Sequence, residues 1–141
     1  MLAHINVVPL AAESFGVRSM CTYVETPDLK ILLDAGVSLC PNRFGLPPHP
    51  KEFKAIDNCR IKIAEAAEKA SIVTISHYHF DHHTPSYEDW LCNWTKADET
   101  AKQIYEGKTV LMKNPKETIN YSQRRRGWMF QKTGGKYAEK L

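Results

Sequence analysis

The most informative stretch of this sequence is Ile72-Val73-Thr74-Ile75-Ser76-His77-Tyr78-His79-Phe80-Asp81-His82-His83. It begins with a short β-branched run, which predicts a buried strand, and continues with four histidines and one aspartate within seven residues. Side chains two positions apart in extended backbone point to the same side, so His77 and His79 can face one metal ion. If the chain turns next, Asp81 and His82 can face a second ion. Imidazole and carboxylate groups suit zinc, iron or manganese; the alternative is a solvated polar loop that happens to be rich in histidine.

The patterns on either side of this stretch predict an α/β chain. Apolar, β-branched runs predict further strands, and segments with apolar residues at helical spacing predict helices. The predicted strands are 5–10, 20–25, 31–33, 72–75 and 109–112, and the predicted helices are 51–70, 97–107 and one from about 122 to 133. The first three strands suggest an antiparallel meander, and helix 51–70 crosses over to a parallel strand. The polar tail, residues 134–141, is expected to fray.

The composition is that of an ordinary globular chain with one domain. Hydrophobic residues make up 43% and charged residues 25% of the chain, and a net charge of +3 is too small to argue for nucleic acid by itself. No run approaches the roughly 20 apolar residues of a membrane span. The segment 1–6 lacks the basic start and apolar core of a signal peptide, so a cytoplasmic location is expected. The four cysteines have no CxxC spacing and are expected to be free thiols.

A family resemblance rests on the same central stretch. The residues His77-Tyr78-His79-Phe80-Asp81-His82 match the HxHxDH signature, by which the chain resembles the metallo-β-lactamase superfamily. The segment 30–36, which ends in Asp34-Ala35-Gly36, is similar to the strand that precedes the signature in that superfamily. More closely, the chain resembles an uncharacterised archaeal family of predicted metal-dependent hydrolases. The stretches that carry this closer resemblance are 13–20, 44–50, 77–85 and 120–126.

The resemblance implies a metallo-β-lactamase-like αβ/βα sandwich, of which residues 1–141 supply about the N-terminal half. This half would be a single partial domain with one mixed sheet and helices on one face. Proteins of this kind are about twice as long, and their second half carries another metal-binding histidine, an aspartate that bridges the two ions and usually a last histidine. Here no histidine follows His83. We therefore expect the remaining ligands to come from a separately encoded C-terminal half or from a homodimer; a truncated fragment is the other possibility.

The resemblance also implies a ligand set. His77 and His79 would hold the first of two divalent ions, most simply zinc, with iron or manganese as alternatives. Asp81 and His82 would hold the second, and Asp81 would also act in catalysis by orienting the attacking hydroxide. Asp34 would brace the site by accepting the free N–H of a metal-bound imidazole; the alternative is a surface aspartate that caps a turn.

Three further features carry weaker predictions. Arg18 and His49 are candidate substrate contacts, although His49 is equally read as an exposed histidine in a turn. The proline-rich loop 37–50 is stiff and is interpreted as a wall of the substrate pocket. His83 is outside the signature and is left out of the ligand set, as a substrate contact or an exposed side chain. The cluster Arg124-Arg125-Arg126 is interpreted as a solvated helix face; pairing with acidic residues and binding of a phosphate-bearing substrate are the alternatives.

These observations predict a metal-dependent hydrolase, or its ligand-bearing half, that acts on an ester, lactone or phosphoester of a small molecule. The chemistry would be that of a hydroxide generated on metal-bound water. One alternative is a nuclease of the same superfamily, although nucleic acid is the less favoured substrate. Another is a metal-binding or assembly subunit without catalysis.

Overall fold

The structure is a computed structural model that describes residues 4–40 and 42–141. Residues 1–3, considered above for a signal peptide, and Pro41 of the proline-rich loop lie outside the described residues. The strands are β1 Asn6–Pro9, β2 Thr22–Glu25, β3 Lys30–Leu33, β4 Ile72–Ile75 and β5 Thr109–Met112; the helices are α1 Pro50–Lys69, α2 Ala97–Tyr105 and α3 Tyr121–Lys132. Each predicted strand and helix is found within a few residues of its expected position, so the α/β class is confirmed.

The five strands form one mixed sheet in the order β1-β2-β3-β4-β5. β1, β2 and β3 are antiparallel neighbours, whereas β3, β4 and β5 run parallel. α1 connects β3 to β4 and α2 connects β4 to β5, as parallel strands require a crossover. α1 begins at Pro50, where His49 and Glu52 form a capping box that satisfies the first backbone N–H groups.

The core lies on one face of this sheet. Leu32, Val73 and Val110 sit side by side in the register of β3, β4 and β5 and are buried. They pack in one hydrophobic cluster with residues of all three helices, among them Ile56, Ile63, Ile104 and Phe130. The alternate residues of the strands point to the opposite face, where Val7 and Leu111 are each 57% exposed. The helices therefore cover one face of the sheet, and the other face is open.

The C-terminal segment corrects the prediction that residues 134–141 fray. Gly134 and Gly135 are buried against Phe130, and the Val110 amide donates to the Lys140 carbonyl at 2.7 Å. Thr109 and Lys140 form a parallel bridge. The tail is polar in sequence, but β5 is an edge strand whose open N–H and C=O groups accept a pairing partner. The backbone of the tail is held there regardless of its side chains.

Parallel strands bring their carboxyl ends to one edge of the sheet, and ligand sites in α/β folds lie beyond that edge. β3 ends at Leu33 and β4 at Ile75, so Asp34 and Ser76 emerge next to each other. The residues of the HxHxDH stretch follow immediately. Among the helices of residues 4–40 and 42–141, none combines the length and the apolar composition needed to cross a membrane.

Candidate functional site

The site is built around the carboxylate of Asp34, at the end of β3. The Asp34 backbone has a φ of 47°, in the left-handed region, which aspartate tolerates better than most residues. Its Oδ1 atom accepts a hydrogen bond from the Ser76 amide at 2.8 Å, and its Oδ2 atom accepts one from the Ser76 hydroxyl at 2.6 Å. The carboxylate therefore joins the ends of two parallel strands.

Asp34 also holds one histidine of the stretch. The Asp34 Oδ2 atom lies 2.7 Å from His82 Nδ1. Burial is the largest single influence and opposes the charged form of each group. The mutual hydrogen bond outweighs it only together with the Ser76 hydrogen bonds to Asp34 and the charges of Asp81 and Asp34 near His82, so the pKa of His82 is raised and the pKa of Asp34 is lowered from their ordinary values. Since Nδ1–H of His82 donates to Asp34, the Nε2 lone pair of its neutral form faces away from the carboxylate.

The chain turns directly after His79, which places Asp81 and His82 beside the first two histidines. The amides of His82 and His83 donate to the His79 carbonyl at 2.9 and 3.1 Å. Gly36 packs under this turn: a Cβ atom there would lie 2.3 Å from the His83 nitrogen and 2.6 Å from the Phe80 oxygen. A residue with a side chain does not fit at position 36 unless the turn moves.

Within the cluster, the donor atoms lie in two pairs. His77 Nε2 is 3.1 Å from His79 Nδ1, and His82 Nε2 is 3.5 Å from Asp81 Oδ2. The rings of His77 and His82 are in contact, with centroids 3.9 Å apart. Partial removal from water is the main cause that lowers the pKa of both His77 and His79, so these imidazoles are neutral at pH 7.

The tautomer of His77 follows from its neighbour. The Ser76 hydroxyl donates its hydrogen to Asp34, so its oxygen can only accept from His77 Nδ1, which lies 3.0 Å away. His77 then carries its hydrogen on Nδ1 and has a lone pair on Nε2. With that lone pair 3.1 Å from His79 Nδ1, the hydrogen between them belongs to His79. Two of the three imidazoles thus receive their orientation from one carboxylate.

The donor atoms do not form a complete metal site. In the part of the chain that the structure describes, no three His, Cys, Asp or Glu side chains converge in an arrangement that could hold a metal ion. The nitrogen and oxygen atoms of the cluster are arranged in two pairs.

A cavity of about 220 Å³ opens beside these pairs. Its lining includes His79 and Asp81 of the cluster, together with Arg18 and, from α3, Arg126. Arg18 Nη2 lies 3.7 Å from Asp81 Oδ2. Arg18, a predicted substrate contact, is therefore next to a predicted ligand. Among the described residues of the proline-rich loop, Ser38 and Leu39 at its start are those that line the cavity.

The structure places His49 differently from Arg18. Its Nδ1 atom accepts from the Lys51 amide at 3.2 Å, and its own amide donates to Glu52 at 2.7 Å. These contacts cap α1, and His49 is not among the residues that line the cavity. The prediction of a substrate contact at His49 has no geometric support here.

His83 corrects another expectation, since it is buried and not exposed. Its Nδ1–H donates to the His79 carbonyl at 2.9 Å, and its ring packs against Tyr78, Phe80 and Phe130. Burial lowers the pKa of His83 to about 4. The neutral His83 side chain stabilises the turn through its hydrogen bond to the His79 carbonyl and its packing against these aromatic rings.

Two residues of α3 contact the histidine loop; Gln123 was not singled out from the sequence, and Arg126 was considered there only as part of the cluster 124–126. Gln123 is buried, and its Oε1 atom accepts from the Tyr78 amide, between the first two histidines, at 2.6 Å. Arg126 was interpreted as solvated with its neighbours, but only Arg124 and Arg125 are exposed. The signal was present in the spacing: Gln123, Gly127 and Phe130 form the buried stripe of α3, and Arg126 borders it.

Together, these features define an α/β chain with a histidine and aspartate cluster at the carboxyl edge of its sheet. The chain is similar to archaeal proteins named UPF0282. It is 48% identical to the one from Thermococcus kodakarensis over an alignment of 137 residues, and this alignment covers 97% of this chain and 45% of the Thermococcus protein. It is 54% identical to the one from Pyrobaculum islandicum over an alignment of 118 residues, and this alignment covers 84% of this chain and 38% of the Pyrobaculum protein.

The chain thus spans less than half the length of these relatives. No family model matches the sequence, and no solved structure matches it. The name UPF0282 states no activity, so the function has to be argued from the site.

Proposed function

We propose that this chain is the ligand-bearing part of a metal-dependent hydrolase of the metallo-β-lactamase type. The observation that carries the proposal is the spacing within the two donor pairs. A tetrahedral zinc ion with bonds of about 2.0–2.1 Å holds neighbouring ligand atoms roughly 3.3–3.4 Å apart. The pairs His77–His79 and His82–Asp81, at 3.1 and 3.5 Å, lie on either side of that value. An ion at the first pair would take the Nδ1 lone pair of His79 in the tautomer that carries its hydrogen on Nε2. The HxHxDH order assigns the same two pairs to two ions.

The side chains of the cluster are of the types that bind zinc, but there are too few of them at each place. Neutral imidazole nitrogen and carboxylate oxygen are zinc ligands, and a catalytic zinc takes three protein ligands and leaves one position open. This chain supplies two to each place. When bound, the ions would lower the pKa of a water molecule from about 15.7 to about 7 and polarise the scissile carbonyl or phosphoryl group.

The residues of this chain would prepare the site for that chemistry. Asp34 fixes His82 directly and His77 through Ser76, so that the neutral form of each imidazole presents an unprotonated Nε2 atom. Such carboxylate partners orient the imidazole and raise its basicity as a ligand. Asp81 stands at the border between the cluster and the cavity, where it can orient a nucleophile towards a bound substrate.

The missing ligands and the open sheet face point to the same partner. We place there a segment equivalent to the part of the relatives that this chain does not match, which is more than half of their length. Covering the apolar residues of the open face would stabilise the pair by about 25 cal/mol for each Å² of apolar surface buried. A second copy of this chain is the alternative occupant.

One observation favours a second candidate function, a nuclease of the same type. Tyr121, Arg124, Arg125 and Trp128 are all exposed and follow helical spacing, so they share one side of α3. Aromatic and basic side chains in such a stripe can stack on bases and contact phosphates. The stripe is small, and the small-molecule hydrolase remains the first proposal.

Zinc titration of the purified chain, followed by NMR of the histidine side chains, tests the metal assignment. We expect zinc to perturb His77, His79 and His82, and the variant His77→Ala/His79→Ala to lose the effect at the first pair. A variant His4→Ala/His49→Ala removes two histidines outside the cluster and should bind zinc as before. Unchanged zinc binding by the first variant would contradict the proposal.

The catalytic assignment is tested with the completing segment present. Co-expression with the corresponding region of a relative should give hydrolysis of a panel of esters, lactones and phosphoesters. Asp81→Ala should nearly abolish turnover because it removes both a ligand and the group that orients the nucleophile. Full activity of that variant would exclude the assigned role of Asp81.

A further inference from the structure

We infer that the cavity beside the cluster binds a phosphoryl group, held between the guanidinium groups of Arg18 and Arg126. The inference rests on the proposed function for the bond that is cleaved, and it narrows the substrate class from esters in general to phosphoesters. The binding of a phosphoryl group is argued from the geometry of the cavity alone and does not depend on that function.

Position is the first argument. The cavity is lined by both arginines and by His79 and Asp81, so a group bound there lies directly against the predicted metal ligands. Its volume of about 220 Å³ is below the range of roughly 300–1,000 Å³ for pockets that enclose a whole drug-sized ligand. The cavity therefore suits one small polar group of a substrate.

Arg126 is held in place before any ligand binds. Its guanidinium carbon lies 5.0 Å from the centre of the Phe80 ring, and Nη1 donates to the Tyr78 carbonyl at 3.4 Å. Stacking of this kind immobilises a guanidinium at little further cost. An arginine has five N–H donors, so most of those on Arg126 remain for a ligand.

Arg18 reaches the cavity from the other end of the chain. Its backbone is fixed by two hydrogen bonds with Ser38, at 2.8 and 2.9 Å. Its guanidinium is 3.7 Å from the Asp81 carboxylate, which is an attraction between charges and longer than a direct hydrogen bond. The N–H groups of Arg18 are consequently available as well.

The charges and the donor count select the ligand. The lining holds two guanidinium groups, those of Arg18 and Arg126, and one carboxylate, that of Asp81, so its positive groups outnumber its negative ones. A carboxylate has two oxygens, and one arginine satisfies both in a bidentate pair. A phosphoryl group has enough oxygens to engage two guanidinium groups and still face the metal ligands. Two arginines around one small cavity therefore favour phosphate over carboxylate.

The experiment is a titration of the metal-free, chelator-treated chain with inorganic phosphate, followed by calorimetry or by NMR of the arginine side chains. Arg126→Gln and Arg18→Gln should each weaken phosphate binding roughly tenfold or more, since each removes charge-assisted hydrogen bonds. Lys132→Gln is the control: it removes one positive charge from an exposed position on the same helix, outside both the cavity and the exposed aromatic and basic stripe, and should change binding little. Arg126→Lys keeps the charge without the planar fork and should fall between.

Several outcomes would overturn the inference: no phosphate binding, equal loss in Lys132→Gln and Arg126→Gln, or acetate binding as tightly as phosphate. A short single-stranded oligonucleotide distinguishes the source of the phosphoryl group. Tighter, salt-dependent binding that still requires Arg126 would assign it to a nucleic-acid backbone, and binding no tighter than phosphate would assign it to a small molecule. Because no metal is present in this titration, failure of the zinc experiment and failure of this one are distinguishable.

Discussion

The Asp34 Oδ2 atom lies 2.7 Å from His82 Nδ1, although the two residues are 48 positions apart in the chain. The same atom accepts the Ser76 hydroxyl, which in turn contacts His77. One carboxylate at the end of β3 thus sets the orientation of two imidazoles that belong to different donor pairs. The parallel pairing of β3 with β4 makes this possible, because it brings both strand ends to the same edge.

Replacing Asp34 with asparagine should lower the pKa of His82 in the metal-free chain. Burial alone disfavours the imidazolium, and the Asp34 hydrogen bond is the first of the causes that raise the pKa above its ordinary value. An asparagine oxygen still accepts the N–H but carries no charge. NMR titration of the His82 ring measures the change, and Asp28→Asn, at an exposed turn, is the control. A His82 pKa that stays raised in Asp34→Asn would show that the pair does not work as described.

The same pair predicts how stability depends on pH. His82 has a raised pKa, so its contribution is complete below its ordinary value of about 6.5 and is lost as the pH rises through the folded-state value. Asp34 has a lowered pKa, so its contribution is complete above about 3.8 and is lost as the pH falls through the folded-state value. The pair therefore stabilises the metal-free chain most between about pH 4 and 6.5.

Urea denaturation across this pH range gives the test, with wild type compared with Asp34→Asn. The difference in unfolding free energy between the two should be largest inside the window and should shrink on both sides. A difference that keeps growing above pH 7 would contradict the sign of the His82 shift.

Ser76→Ala should weaken zinc binding without removing any ligand. The hydroxyl carries the influence of Asp34 to His77 Nδ1, and without it the hydrogen of His77 is free to occupy either ring nitrogen. Loss of such a supporting partner typically costs roughly 10–100-fold in metal affinity. Zinc titration measures the effect, and Ser71→Ala, at the other end of β4, is the control. Equal zinc affinities of Ser76→Ala and Ser71→Ala would show that the Ser76 hydroxyl does not orient His77 for metal binding.

Much of the architecture could be predicted from the sequence because it depends on local patterns. The β-branched run of β4, the amphipathic spacing of α1 and the acidic start of α2 each specify their element within a few residues. The turn after His79 was a condition of the predicted site and is present. The metal roles of His77, His79, Asp81 and His82 stay predictions.

What could not be predicted depends on contacts between distant parts of the chain. Arg126 leaves the solvated face because α3 packs against the loop around Tyr78, 48 residues earlier. The tail is ordered because the edge of β5 is open to it. His83 is buried because the Phe130 ring of α3 meets the Tyr78 and Phe80 rings of the histidine loop around it. The spacing of residues within one segment does not predict these contacts between distant segments.

Gly36→Ala should destabilise the chain and disturb the cluster. The new Cβ would lie 2.3–2.7 Å from backbone atoms of Phe80, His82 and His83, which cannot move without opening the turn. Overpacking of this kind costs about 1–3 kcal/mol. Urea denaturation measures the loss, and zinc affinity should fall with it. Gly134→Ala is the comparison, since its Cβ would lie 3.1 Å from a side-chain atom of Phe130, a milder approach than 2.3 Å to backbone. Small and equal losses of unfolding free energy in the two variants would mean that the turn at residues 80–83 can move to accommodate a side chain at position 36.

Gln123→Ala should release the loop from α3. The side-chain oxygen is the acceptor for the buried Tyr78 amide, and alanine leaves that N–H without a partner at a cost of about 1–3 kcal/mol. Tyr78 lies between His77 and His79, so freeing its backbone should also loosen the first donor pair. Because Arg126 stacks on Phe80 of the same loop, phosphate binding should weaken as well.

Hydrogen exchange separates this local effect from a general loss of stability. The Tyr78 amide should exchange faster in Gln123→Ala than other amides of the core do, whereas global unfolding would accelerate all of them together. Gln103→Ala, at an exposed position of α2, should leave Tyr78 protected. If the Tyr78 amide remained as protected as in wild type, α3 would not be what holds the histidine loop, and the position of Arg126 beside the cluster would need another cause.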